Sequence, residues 1–312
     1  MGREGAMLSA EVDRYIALRR TLGYKLVKTE RHLRSYARHH DERCDGYLRA
    51  APVLAWVTAA GRTREARRER YRALAGFARF LHAEDARHEL PPVDIFAAPK
   101  RRPMPYIYTP DEIARILEEA GRLRRQQPNP LRRELYGTLF GLIAATGLRI
   151  SEVLALRMED LRPDGVLHIR ATKFGKSRLV PLHATVVAAL ERYLATRKRV
   201  AGSCEYLFPS VELRQLCPST VNYTFRILLK QANIAPGRAR RPRIHDLRHT
   251  FATRALERCG GSRGEVARHF VALSTYLGHA DIRHTYWYLQ ATPEMMTDIA
   301  AAAEMLVGSA VA

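Results

Sequence analysis

The stretch Thr275-Tyr-Leu-Gly-His-Ala-Asp-Ile-Arg-His-Thr-Tyr-Trp-Tyr-Leu289 decides how the rest of the chain is read. It holds a Leu277-Gly278-His279 triplet and, nine residues after the histidine, Tyr288. Two further motifs lie upstream, Thr146-Gly-Leu-Arg-Ile-Ser-Glu152 and His245-Asp-Leu-Arg-His249. Arg149 and Arg248 stand about a hundred residues apart, so only a fold can bring them together. A guanidinium matches phosphate oxygens in a two-pronged fashion and stays charged at any working pH.

Bulk composition agrees with a phosphate-rich partner. The 312 residues carry 52 Lys+Arg against 32 Asp+Glu, a formal net charge of +20. Such an excess repels itself in a compact state and points to a polyanion, nucleic acid before membrane. The hydrophobic share of 46 % suffices for a buried core. No stretch reaches the ~20 apolar residues of a spanning helix, and the N-terminus lacks a secretion signal's apolar run. Cys44, Cys204, Cys217 and Cys259 are scattered, with neither metal-site nor disulfide spacing, and read as reduced thiols of a cytosolic protein. No GxxxxGK[ST] loop or two-metal carboxylate set is present, so neither metal nor cofactor is implied.

The length suggests two domains. Residues 1–99 read as a basic bundle of about four helices: Ser9 to Gly23, a second capped by Thr29, Pro52 to Ala60, and Arg62 to His82 with Tyr71, Leu74, Phe77, Ala78 and Leu81 at helical spacing. Residues 100–105, with Lys100-Arg101-Arg102 among prolines, read as a stiff basic linker. Residues 106–312 form the second domain. Through residue 100 there are 20 Lys+Arg against 13 Asp+Glu, and beyond it 32 against 19. Both parts are positive and could close on a duplex as a clamp.

The second domain opens on Thr109-Pro-Asp-Glu112, a capping box with proline at the first helical position. An apolar helix, Arg132 to Thr146, is ended by Gly147, and a short one follows. Gly165 to Ala171 alternates like a strand, with Ser177 to Pro181 as its hairpin partner. Helices are expected at about 184–199, 218–232, 246–258, 264–276, 281–289 and 293–306. The fold class is therefore mainly α, a helical bundle plus a mostly α domain with one small β-hairpin.

At these motifs the chain resembles the tyrosine recombinase (phage integrase) family, from Thr146 to Leu289, and more weakly through its basic N-terminal half, which resembles that family's core-binding domain. The resemblance implies a site-specific DNA recombinase or integrase, the transposase of a mobile element being one form of it. It implies Tyr288 as nucleophile, Arg149, Arg248 and His279 holding the phosphate, His245 assisting proton transfer, Lys173 protonating the leaving 5′-oxygen, and Glu152 orienting the cationic centre. The chemistry asks for such groups: charge developing on phosphorus-bound oxygens needs fixed cationic donors, and a phenol of pKa about 10 needs electropositive surroundings or a base. A phosphotyrosyl bond keeps the phosphodiester energy, so rejoining needs no ATP.

Several alternatives stay open on sequence. Lys176 rivals Lys173, and Tyr286 rivals Tyr288, although the two tyrosines sit about 200° apart on a helix. His249 reads as structural or phosphate-contacting, and His284 lies one turn before Tyr288. Arg238, Arg240, Arg241 and Arg243, like Lys176, read as DNA-backbone contacts. The implied partners are double-stranded DNA and a homotetramer on it, with or without sister recombinases, in the cytoplasm at the nucleoid. A type IB-like topoisomerase and a non-catalytic accessory DNA-binding protein are the competing readings.

Overall fold

A computed structural model describes residues 8–41, 46–60, 63–93, 95–96, 104–124, 130–170, 177–237, 241–258, 263–279 and 285. The chain divides into two compact units, Met1–Arg102 and Pro103–Ala312. Among the described residues there are eleven α-helices and one two-stranded antiparallel sheet.

The first unit holds α1 (Leu8–Thr21), α2 (Val27–Asp41), α3 (Ala50–Ala60) and α4 (Arg64–His82). Helix α4 starts where the Thr63 hydroxyl accepts the Ala66 N–H, and it buries Tyr71, Leu74, Phe77, Ala78 and Leu81 along one stripe. That stripe meets Leu8, Val12 and Ile16 of α1, Leu33 and Tyr36 of α2, and Val53 and Val57 of α3 in one core. Helix α2 begins two residues before the expected cap. Leu26 adopts a left-handed φ of 47°, its carbonyl accepts the Glu30 N–H at 2.8 Å, and Thr29 falls inside the first turn. Helix α3 begins at Ala50, with Pro52 in the first turn, where its missing N–H is no loss.

Three histidines fasten the segments that follow α2 and α4. The His82 Nδ1 donates to the His88 carbonyl at 2.7 Å, and the His40 Nε2 donates to the Tyr47 carbonyl at 3.0 Å. The His88 Nδ1 instead accepts the Leu48 backbone N–H at 3.1 Å.

The second unit contains α5 (Pro110–Gly121), α6 (Arg132–Thr146), α7 (Ile150–Ala155), a 3-10 turn at Met158–Asp160, β1 (Val166–Ile169), β2 (Arg178–Pro181), α8 (Ala184–Ala201), α9 (Pro218–Gln231), α10 (Ile244–Glu257) and α11 (Arg263–Leu277). The expected capping box at Thr109 and Glu112 is formed. Helix α10 runs through the interior, burying Ile244, Leu247, Arg248, His249, Thr250, Ala252 and Leu256. The chain entering α5 is tied to it: the Thr250 hydroxyl accepts the Tyr108 N–H at 2.9 Å, and Arg254 donates to the Tyr108 carbonyl at 2.6 Å.

Gly147 ends α6 with φ 62°, and a Cβ there would lie 2.6 Å from the Phe251 ring. Both facts demand glycine. In the hairpin, Leu167 pairs with Val180 and Ile169 with Arg178. Leu167, Ile169 and Val180 point into the core. Apart from Thr285, the expected helices at 281–289 and 293–306 lie outside the described residues, as do the hairpin turn, Cys44 and Cys259. No helix of the described residues is long and apolar enough to cross a membrane.

The His88 contact carries a pH dependence. Burial lowers its pKa below 6.5; Arg49 and Arg87 add to this, and Asp85 and Glu11 oppose it. A protonated ring cannot accept the Leu48 N–H. The unfolded chain then binds the proton more readily, so this contribution is complete above pH ~6.5 and declines below it. His88→Asn keeps an acceptor without titrating. Its melting temperature is expected to fall less than the wild type's between about pH 7 and about pH 5. Part of the fall remains, because burial also lowers His32 and His245. Equal falls in the two proteins would contradict the assignment.

Candidate site at the end of helix α11

Helix α11 finishes at Leu277, and Gly278 follows with φ 66°. The Gly278 N–H bonds the Thr275 carbonyl at 2.9 Å, and the His279 N–H bonds the Ser274 carbonyl at 3.0 Å. The next three carbonyls face outward from the helix's negative end, a position that suits cations. Each receives an arginine from a different element. Arg178 of β2 donates through Nε to Tyr276 at 2.8 Å. Arg248 of α10 donates through Nη2 to Leu277 at 2.8 Å. Arg149, the residue capping α7, donates through Nη2 to Gly278 at 3.1 Å.

Glu152 lies beneath two of these arginines. Its carboxylate accepts the Arg149 backbone N–H at 3.0 Å and Arg149 Nη1 at 2.6 Å. It also accepts Arg178 Nη1 and Nη2 at 3.1 and 2.8 Å. Burial alone would push this acid up. The Arg178 bonds and charge, followed by Arg149, reverse that and hold it at about 2. Glu152 is therefore ionised at neutral pH.

Arg248 is 1 % exposed. Its Nη1 donates to the Gly147 carbonyl at 2.6 Å, and its Nη2 also lies 3.0 Å from His279 Nε2. A guanidinium only donates, so this imidazole nitrogen is the acceptor. The ring proton then sits on Nδ1, which lies 2.7 Å from the buried Thr285 hydroxyl. His245, on the first turn of α10, meets the buried His249 edge to face, with ring centroids 4.5 Å apart. The residue as a whole is exposed, while its ring is held against His249. The imidazole is pushed down to about 4 by burial, then by Arg248, Arg243 and Arg149, against Asp246. It is neutral at pH 7.

The fold thus gathers Arg149, Glu152, Arg248 and His279 at one helix end, with His245 inside the field of both arginines. Tyr288, Lys173, Lys176, Arg238 and Arg240 lie outside the described residues, as do Tyr286 and His284. Arg243 caps α10 and pairs with Asp246 at 3.1 Å. Exposed Arg241 lines a cavity of about 590 Å³ with Arg226 and Lys230. Among the described residues no three His, Cys, Asp or Glu side chains cluster as metal ligands.

Arg178 is the site residue that motif reading missed. A signal was present: strand alternation puts it on the same face as buried Val180, while Leu179 between them is exposed.

Comparison with known proteins gives the family and the fold. Residues 107–295 match the pattern of the phage integrase family. A Sinorhizobium fredii protein named as an integrase/recombinase, y4rB, is 36 % identical over 294 residues, covering 92 % of this chain and 94 % of that one. Tyrosine recombinase XerD of Caulobacter vibrioides is 36 % identical over 233 residues, covering 73 % and 71 %. The fold matches XerH site-specific recombinase bound to palindromic difH substrate, with TM-score 0.65, 17 % identity, and 96 % and 86 % covered. It also matches the Tn1549 transposon integrase in complex with transposon right end DNA, with TM-score 0.64, 18 % identity, and 97 % and 100 % covered.

Removing Glu152 leaves Arg178, only 10 % exposed, without its carboxylate. Breaking a buried pair from one side costs about 3–5 kcal/mol. Glu152→Ala is expected to lose stability on that order in urea unfolding, and a loss below about 1 kcal/mol would contradict the network.

Proposed function

Since this chain belongs to the phage integrase family, we propose that it is a site-specific DNA recombinase that cuts and rejoins DNA through a tyrosine. The observation carrying this reading is the convergence of Arg149, Arg248 and His279 on three consecutive residues at the end of α11. Two held guanidinium groups and an imidazole at one helix end suit one phosphate.

In this reading the Tyr288 oxygen attacks the scissile phosphorus. A bond forms from that oxygen to phosphorus, and the bond from phosphorus to the 5′-oxygen breaks. Neutral His245 accepts the phenolic proton, and Lys173 supplies one to the departing 5′-oxygen. Arg149 and Arg248 neutralise the non-bridging oxygens. His279 must turn Nε2 from acceptor to donor, either by taking a second ring proton or by moving its proton from Nδ1 to Nε2 while Nδ1 accepts the Thr285 hydroxyl. The 3′-phosphotyrosine is then attacked by a 5′-hydroxyl of the partner strand, with no ATP. Two such exchanges pass through a Holliday junction.

Exchange between two duplexes uses four sites, so the working assembly is a tetramer on DNA, formed with or without sister recombinases. The first unit acts as the core-binding domain. Arg241, with Arg226 and Lys230 around the same cavity, suits the DNA backbone. The reaction belongs where the DNA is, in the cytoplasm at the nucleoid. Relatives named integrase or recombinase, one aligned along nearly the whole chain, favour exchange over simple relaxation.

The test is capture from a pool of nicked suicide duplexes with randomised sequence, in which loss of a short 5′ fragment traps the covalent intermediate. Wild type is expected to give detergent-resistant protein–DNA adducts that converge on one sequence. Tyr288→Phe is expected to give none, and Arg149→Ala a rate lower by about 10²–10³-fold. Adducts formed at full yield by Tyr288→Phe would overturn the mechanism.

A further inference from the structure

We infer that Arg178 is a positioning residue of this site: from the hairpin, it sets the aim of the Arg149 guanidinium by holding Glu152 and the α11 end in register. The inference rests on the recombinase reading for its chemistry, while its geometry stands independently.

Three observations carry it. The first is that Arg178 uses its whole fork: Nε on the Tyr276 carbonyl, and Nη1 and Nη2 on Glu152. One side chain thereby spans β2, α7 and α11.

The second is that Glu152 is shared. Its carboxylate holds both Arg178 and Arg149, each of its oxygens meeting both residues. With Arg178 present, the acid is neutralised from below, and Arg149, at 27 % side-chain exposure, is the more open of the two guanidinium groups. Without Arg178, the buried carboxylate has Arg149 as its remaining charged partner among these contacts. It then draws that guanidinium inward, away from a phosphate.

The third is that Gly278 is cut to fit this arginine. A Cβ there would lie 2.8 Å from Arg178 Nη1 and 3.0 Å from its Cζ. The glycine of the Leu277-Gly278-His279 triplet thus serves two ends: it takes φ 66°, and it leaves room for a guanidinium packed beneath the turn. The turn that orients His279 and the carbonyl that orients Arg149 both rest on Arg178.

The expected phenotype is a loss of charge stabilisation with DNA binding kept. Arg178→Gln is expected to cleave the captured duplex about 10- to 100-fold more slowly, with affinity changed by less than about threefold. A methylphosphonate at the scissile position separates this role from plain loosening of the fold. It removes the negative charge that Arg149 must meet, so the deficit of Arg178→Gln should shrink to within about threefold of wild type on that substrate. Arg178→Lys keeps the charge but not the fork, and should fall between the two proteins. It also carries the comparison if the glutamine variant does not fold.

Wild-type cleavage rates in Arg178→Gln would overturn the inference, as would equal deficits on phosphate and methylphosphonate. If wild type itself forms no adduct, the recombinase reading fails. The positional claim is then decided by a crystal structure of Arg178→Gln: Arg149 withdrawn from the Gly278 carbonyl supports it, and Arg149 unmoved overturns it.

Discussion

The end of α11 is the constraint on which the site depends. A helix leaves its last carbonyls without intrahelical partners, and a buried guanidinium is costly unless its donors are bonded. Each problem answers the other here. Tyr276, Leu277 and Gly278 offer carbonyls, and Arg178, Arg248 and Arg149 supply donors. Among the described residues, the Glu152 carboxylate pairs with Arg149 and Arg178, and the helix dipole faces all three guanidinium groups. Arg248 is thereby bonded in the interior, to the Gly147 and Leu277 carbonyls.

The same contacts explain why glycine recurs at the turns. Gly147 ends α6 and turns its carbonyl to Arg248, and Gly278 ends α11 and turns its carbonyl to Arg149. Two left-handed residues on two helices thus hold two arginines that the sequence separates by about a hundred positions. Helix α10, buried along most of its length, carries Arg248 through the core between them.

Much of this was legible beforehand, for identifiable reasons. Apolar residues at helical spacing marked α4, the Thr109 box marked the start of α5, and Gly147 marked the end of α6; all three follow local rules that tertiary context did not override. The start of α2 was misjudged, because Leu26 takes a left-handed conformation that a threonine-based cap rule does not foresee. Motifs named Arg149, Glu152, Arg248 and His279, since each sits in a short local pattern. Arg178 sits in none. Its importance comes from what it touches across three elements, information that one-dimensional spacing carries only as the faint alternation with Val180. The tautomer of His279 and the depressed pKa of His245 are likewise properties of neighbours in space.

The central claim is that Tyr288 and the two arginines meet at one phosphorus atom. The most direct measurement is a crystal structure of the chain trapped on its nicked duplex. The account predicts phosphorus bonded to the Tyr288 oxygen, with Arg149, Arg248 and His279 all within hydrogen-bonding distance of the non-bridging oxygens. Phosphorus bonded to any other side chain, or a phosphotyrosine at Tyr288 out of reach of both guanidinium groups, would contradict it.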